Sequence, residues 1–128
     1  MQQHNGAWHD RMYNNRDLVP DNAAYLSRWA ADSRQARASV PCELDLPYGD
    51  QPGETLDVFP APSPDAPVLL FIHGGYWRAL DKSDHSFIAP AFTRDGACVV
   101  VPNYALCPTV TVPQIVLQMV RAVAWTFH

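Results

Sequence analysis

A chain of 128 residues holds one small domain or part of a larger one, and at 48% apolar it is too hydrophobic for a disordered tail. Its net charge of −4, with no clustered Lys or Arg, leaves no electrostatic footprint for nucleic acid or an acidic membrane. No apolar run reaches the roughly 18 residues of a membrane span, and the polar N-terminus lacks a signal-peptide core, so a cytoplasmic protein is expected.

Residues 1–19 are polar and read as irregular. After Pro20, the spacing of Tyr25, Leu26, Trp29 and Ala30 predicts a helix to about Ala36, capped by Asp21 or Asn22. Val40 to Tyr48 reads as a strand with Cys42, Leu44 and Leu46 on one side. A turn at Gly49 to Gly53 leads to a second strand with Leu56 and Val58 on one face, making a hairpin. The segment PAPSPDAP is a surface loop. Val68 to Ile72 is a continuous apolar run, the pattern of a strand buried on both faces, and it stops at His73-Gly74-Gly75.

A helix is predicted from about Ser83 to Arg94, with Asp81 or Ser83 as cap, Gly96 beyond its end, and Pro90 as a kink or early stop. Ala97 to Pro102 is a second buried strand. Pro113 opens a last helix, whose Ile115, Val116, Met119, Val120, Val123 and Phe127 share one face. That stripe runs to His128 without a stop signal, which predicts truncation. The order gives an α/β fold: a helix, a β-hairpin, then β-α-β-α, in a sheet whose parallel part has only begun. Residues 1–39 form an arm and helix, and residues 40–128 an incomplete domain.

The chemistry concentrates at VLLFIHGGYWRALDKSD. Acyl-transfer enzymes stabilise an oxyanion with backbone N–H groups aimed at one point. Glycines after a buried strand let the backbone turn sharply and approach a substrate closely, and ligands bind at the carboxyl ends of such strands. Gly74 and Gly75 occupy that place, and Tyr76-Trp77 follow them. Asp81 and Asp84, on either side of Lys82, read as helix caps on a solvated surface rather than as acid/base groups.

HGGYW at 73–77 resembles the HGGxW motif of arylformamidases of the α/β-hydrolase fold, and HGGYWRALDKSD…VVVPNYALCP is similar to bacterial members of that formamidase and esterase group. The resemblance covers residues from about 13 onward and is most specific at 68–108. It implies the N-terminal part of an α/β-hydrolase that converts N-formyl-L-kynurenine to formate and L-kynurenine. It makes the backbone of Gly74, Gly75 and Tyr76 the oxyanion hole, with His73 orienting the loop. Trp77 is expected to line the acyl or aryl pocket or to pack on the sheet top. Tyr104, after the next strand, is a further candidate for the pocket rim.

The fold's nucleophile stands in G-x-S-x-G, and none of Ser27, Ser33, Ser39, Ser63, Ser83 and Ser86 does. The triad acid and base are missing too. The expectation is a chain inactive alone, truncated before the elbow, with the serine roughly 10–25 residues past His128. Without the neighbouring strand, VLLFI becomes an exposed apolar edge prone to aggregation. The histidines make no HExxH or zinc spacing and no GxGxxG or Walker A loop is present, so neither metal nor cofactor is expected. Cys42, Cys98 and Cys107 form no CxxC pair and read as free thiols. The expected partner is a small formamide or ester, with room for a homodimer. The alternatives are a general carboxylesterase and a non-catalytic pseudo-hydrolase that binds through the retained loop.

Overall fold

A computed structural model describes residues 4–127. The N-terminal arm is helical, not irregular: α1 spans Gly6–Tyr13 and α2 spans Asn15–Leu18. The Asn5 side chain caps α1 by accepting from Trp8 N at 3.0 Å, and Asn14 ties to Asp17 at 2.6 Å. Neither helix buries a residue, so local side-chain bonds, a cap on α1 and a side-chain pair on α2, rather than an apolar stripe mark them, which is why periodicity missed them.

Helix α3 runs Asn22–Ser39, three residues past the expected end at Ala36. Pro41 disfavours a helical residue before it, yet only Val40 turns extended, at φ −126°. Its inward face is Ser33 and Ala36, while Tyr25 is exposed. The contact is part polar and part aromatic: Arg37 Nη1 donates to Ser83 O at 2.6 Å and Ser86 Oγ at 2.7 Å, Ser33 Oγ accepts from Phe87 N at 3.2 Å, and Trp29 packs on Phe87 and His85.

Strand β1 (Glu43–Pro47) pairs antiparallel with β2 (Thr55–Phe59), forming the expected hairpin. The predicted alternation of Cys42, Leu44 and Leu46 fails. A bulge between Glu43 and Leu46, with Asp45 at φ +57°, inverts the faces. Cys42 packs toward Phe59, Leu46 toward Leu56 on the opposite face, and Leu44 is exposed.

Strand β3 is short, Val68–Leu70, and pairs parallel with β4 (Cys98–Pro102), which pairs antiparallel with β2. The order β1-β2-β4-β3 puts β3 at the edge. Its buried-on-both-faces pattern is therefore not realised: Val68 and Ile72 are exposed, and β4 is the buried strand.

The expected helix Ser83–Arg94 is instead two 3₁₀ turns, Lys82–Asp84 and Ser86–Ile88, followed by α4 (Ala89–Arg94). Asp81 caps the first turn reciprocally, Ser83 N donating to Asp81 Oδ1 at 2.9 Å and Asp81 N to Asp84 Oδ2 at 3.1 Å. Pro90 neither kinks nor ends a helix. It sits in the first turn of α4, where its missing N–H has no intrahelical partner to lose. Gly96, at φ +92°, follows the helix end.

Helix α5 spans Val112–Thr126, with Thr111 and Gln114 in a capping box. It covers one sheet face through Leu56, Val100, Tyr48 and Ala122, while Ala89 of α4 meets Phe59, Val99 and Val101 on the other. The predicted α5 stripe is split. Ile115, Gln118 and Ala122 are buried, whereas Val116, Val120, Val123 and Phe127 face outward. Gln118 replaces an apolar residue inward because its Oε1 accepts from Ala105 N at 3.0 Å. No helix among the described residues is long and apolar enough to cross a membrane.

Candidate functional site

The loop after β3 is held from below by groups that follow β4. Tyr104 is buried, and its hydroxyl donates to His73 O at 2.8 Å and Gly74 O at 3.2 Å. Burial pushes this phenol up, which keeps it a donor. His73, also buried, stacks on the Tyr104 ring at 4.3 Å, with Nδ1 2.7 Å from Gly74 O and Nε2 3.1 Å from Asn103 Oδ1. Arg78 N donates to Gly75 O at 3.1 Å, closing the turn.

These bonds dictate where the donors point. In a trans peptide, the C=O of one residue and the N–H of the next point in opposite directions. With the carbonyls of His73 and Gly74 drawn toward Tyr104, the N–H groups of Gly74 and Gly75 face away from it. Among the described residues, neither of these nor the Tyr76 N–H meets an acceptor. The backbone here admits little else. Gly75 lies at φ +116°, and a Cβ on it would stand 1.9 Å from Ala79 O. A Cβ on Gly74 would meet nothing within 4 Å, so the front of the loop is open.

Tyr76 and Trp77 are both left-handed, at φ +56° and +59°, and stand on different sides of the loop. Tyr76 borders a cavity of about 1230 Å³ between the loop and the helices α1, α2 and α3. Trp77 borders a second one of about 460 Å³, beside Ile72, Tyr104 and Val116 and Val120 of α5.

Asn103 joins the loop to the first 3₁₀ turn. Its Nδ2 donates to Asp81 Oδ2 at 2.7 Å, its Oδ1 accepts from Lys82 N at 3.3 Å, and its carbonyl accepts from Tyr48 Oη at 2.6 Å. Burial alone would raise the Asp81 carboxyl, but the bonds from Ser83 and Asn103 hold it below the usual range.

Lys82 is not on a solvated surface. It is 4% exposed, and Nζ donates to Asp57 Oδ1 at 2.5 Å and Asp45 Oδ1 at 2.7 Å. Burial works to lower this ammonium, yet the two carboxylates leave it raised. The β1 bulge has a purpose here: it aims Asp45 at the lysine and lets Asp45 N donate to Asp57 Oδ1 at 2.9 Å.

Known proteins resemble the chain over part of their own length. The chain is 35% identical over 102 residues to a kynurenine formamidase of Danio rerio, covering 78% of this chain and 35% of that relative. A crystal structure of a candidate thioesterase from Silicibacter sp. tm1040 superposes with a TM-score of 0.84 at 34% identity, over 92% of this chain and 46% of the other. The chain has the α/β-hydrolase fold and is similar to kynurenine formamidases and esterases over this part of their length. An esterase B from Lactobacillus rhamnosis shares the fold, with a TM-score of 0.62 at 20% identity over 80% of this chain and 37% of that one. No family model matches the chain. It spans well under half the length of the curated relatives it matches.

The motif located the loop, and His73 and Tyr104 were already candidates beside it, but the groups that hold these two in turn were not read from the sequence. Asn103, Asp81 and the Lys82, Asp45 and Asp57 cluster act through contacts distant in sequence, which no local pattern encodes. No local signal marked the cluster, because Asp45 and Asp57 each fall at the polar position of an alternating strand, where an exposed aspartate is the ordinary reading.

Proposed function

We propose that this chain supplies the oxyanion-binding half of a hydrolase that cleaves the formamide bond of N-formyl-L-kynurenine through a serine acyl-enzyme. The observation that carries the reading is the run of unpaired N–H groups on Gly74, Gly75 and Tyr76, the first two turned away from Tyr104. Such donors are fixed before reaction and need no rearrangement as negative charge develops on the carbonyl oxygen. His73 and Tyr104 hold the loop from behind and keep its carbonyls off the substrate. The relatedness to kynurenine formamidase supports the choice of a formamide.

None of the six serines in these residues stands between the glycines of an elbow. On this reading the nucleophile comes from sequence outside them, and the 128-residue chain alone is expected to be inactive. A general carboxylesterase is the second reading, favoured by the thioesterase candidate at 34% identity. The test is steady-state hydrolysis by the protein expressed from its native gene, comparing N-formyl-L-kynurenine with p-nitrophenyl butyrate. A higher kcat/KM for the formamide supports the first reading and a higher value for the ester the second. Hydrolysis of neither removes both.

A further inference from the structure

On the formamide-hydrolase reading, we infer that the cavity between the N-terminal helices and the loop binds the aromatic amino-acid part of the substrate, with Arg16 and Arg78 receiving its carboxylate. The cavity, about 1230 Å³, reaches Gly75, whose N–H is unpaired, so a ligand seated there lies against the proposed oxyanion donors. Tyr13, Trp29 and Tyr76 contribute aromatic rings to its walls, suited to an aryl group by offset or edge contact. Tyr76 is 69% exposed and held at φ +56°, a strained backbone that keeps a large apolar ring at the cavity instead of in the core.

The charges complete the match. Arg16 and Arg78 line the same cavity. The ion pairs among the described residues are Arg28 with Asp32, Lys82 with Asp45 and Asp57, and Arg121 with Glu54, so both arginines remain uncommitted. A guanidinium takes a carboxylate through two parallel N–H bonds. Asp10, on the same wall and equally unpaired, is of the sign to meet an α-ammonium. Aromatic faces, two cations and one anion are the complement of a zwitterionic aromatic amino acid, whereas a simple alkyl ester would use none of the charges.

The experiment compares two aryl formamides in the protein expressed from its native gene: N-formyl-L-kynurenine, which carries the amino-acid group, and formanilide, which does not. The double variant R16A/R78A is expected to lower the ratio of their kcat/KM values at least about tenfold, chiefly through the KM of N-formyl-L-kynurenine. R16K/R78K is expected to retain part of that preference, since charge survives without the fork. A ratio that stays within about twofold of wild type, with both formamides still hydrolysed, overturns the carboxylate site and leaves the formamidase reading standing. Wild type that hydrolyses neither formamide overturns both.

Discussion

Gly74 and Gly75 are adjacent, yet they answer to different constraints. At Gly75 a side chain collides with the Ala79 carbonyl and the backbone is left-handed, so G75A is expected to cost at least about 1 kcal/mol. At Gly74 nothing stands in the way, so G74A is expected to change stability by less than about 0.5 kcal/mol. Urea unfolding of the two variants checks the pair, and equal losses would mean that the loop is not held as described. Lys82 gives a larger effect. Replacing it by Met leaves Asp57, buried and with Oδ2 already unpartnered, without its cation, at an expected cost of about 3–5 kcal/mol by the same measurement.

Titration acts at this scale too. Burial holds His85 below its ordinary value, against the opposing Asp81 carbonyl and the neighbouring Asp84. A depressed pKa contributes stability that is present above the unfolded value, about 6.5, and is lost as pH falls through the folded one. Asp81 and Glu54 are likewise held low, burial of each being outweighed by its hydrogen bonds, to Ser83 and Asn103 for Asp81 and to Arg121 for Glu54. Their contributions disappear further down, below about pH 4. The urea midpoint is therefore expected to fall in two stages on acidification, and H85F to remove the upper stage. A midpoint flat from pH 7 to 5 in wild type would contradict it.

Among the elements, what was legible depended on whether the deciding contact was local. The hairpin, β4, Gly96 and the start of α5 at Pro113 follow from turn residues and caps within a few positions, and the structure places them as read. The β1 alternation did not hold, because a bulge turns Asp45 toward the buried Lys82 ammonium, a partner 37 positions away. The α3 face was legible only in part: Trp29 packs on Phe87 as its spacing suggests, but Tyr25 is exposed and Arg37 and Ser33 dock the helix by hydrogen bonds, which apolar periodicity does not register. In the candidate site, HGGYW was visible as a motif, but Asn103 joins His73 to Asp81 across 30 and 22 positions, and only the fold brings them together.

The edge strand and the outer face of α5 make the strongest statement about an element. Ile72 lies beside Val116, Val120 and Val123, all exposed, and Val68 is exposed on the unpaired β3 edge. Contiguous apolar surface beside open strand donors favours association between copies. The isolated 128-residue chain is expected to associate in sedimentation at micromolar concentration, and V120E/V123E to reduce that association. A monodisperse wild-type monomer would show that the face is tolerated in water.

At the scale of the whole molecule, the sheet sets where the candidate site lies. Parallel pairing of β3 with β4 brings the residues after both strands to one edge of the sheet, so the loop from His73 and its support from Tyr104 meet there. The N-terminal helices close one side of that edge and α5 the other, leaving a cavity on each side of the loop. The account stands on Tyr104 fixing the outward donors. Its most direct test is the hydrolysis of N-formyl-L-kynurenine by the native-gene protein and by its Y104F variant. Wild type is expected to turn over, and Y104F to lose about tenfold to a hundredfold in kcat with KM little changed, because the donors lose their aim toward the transition state. Equal kcat in the two proteins would contradict the account.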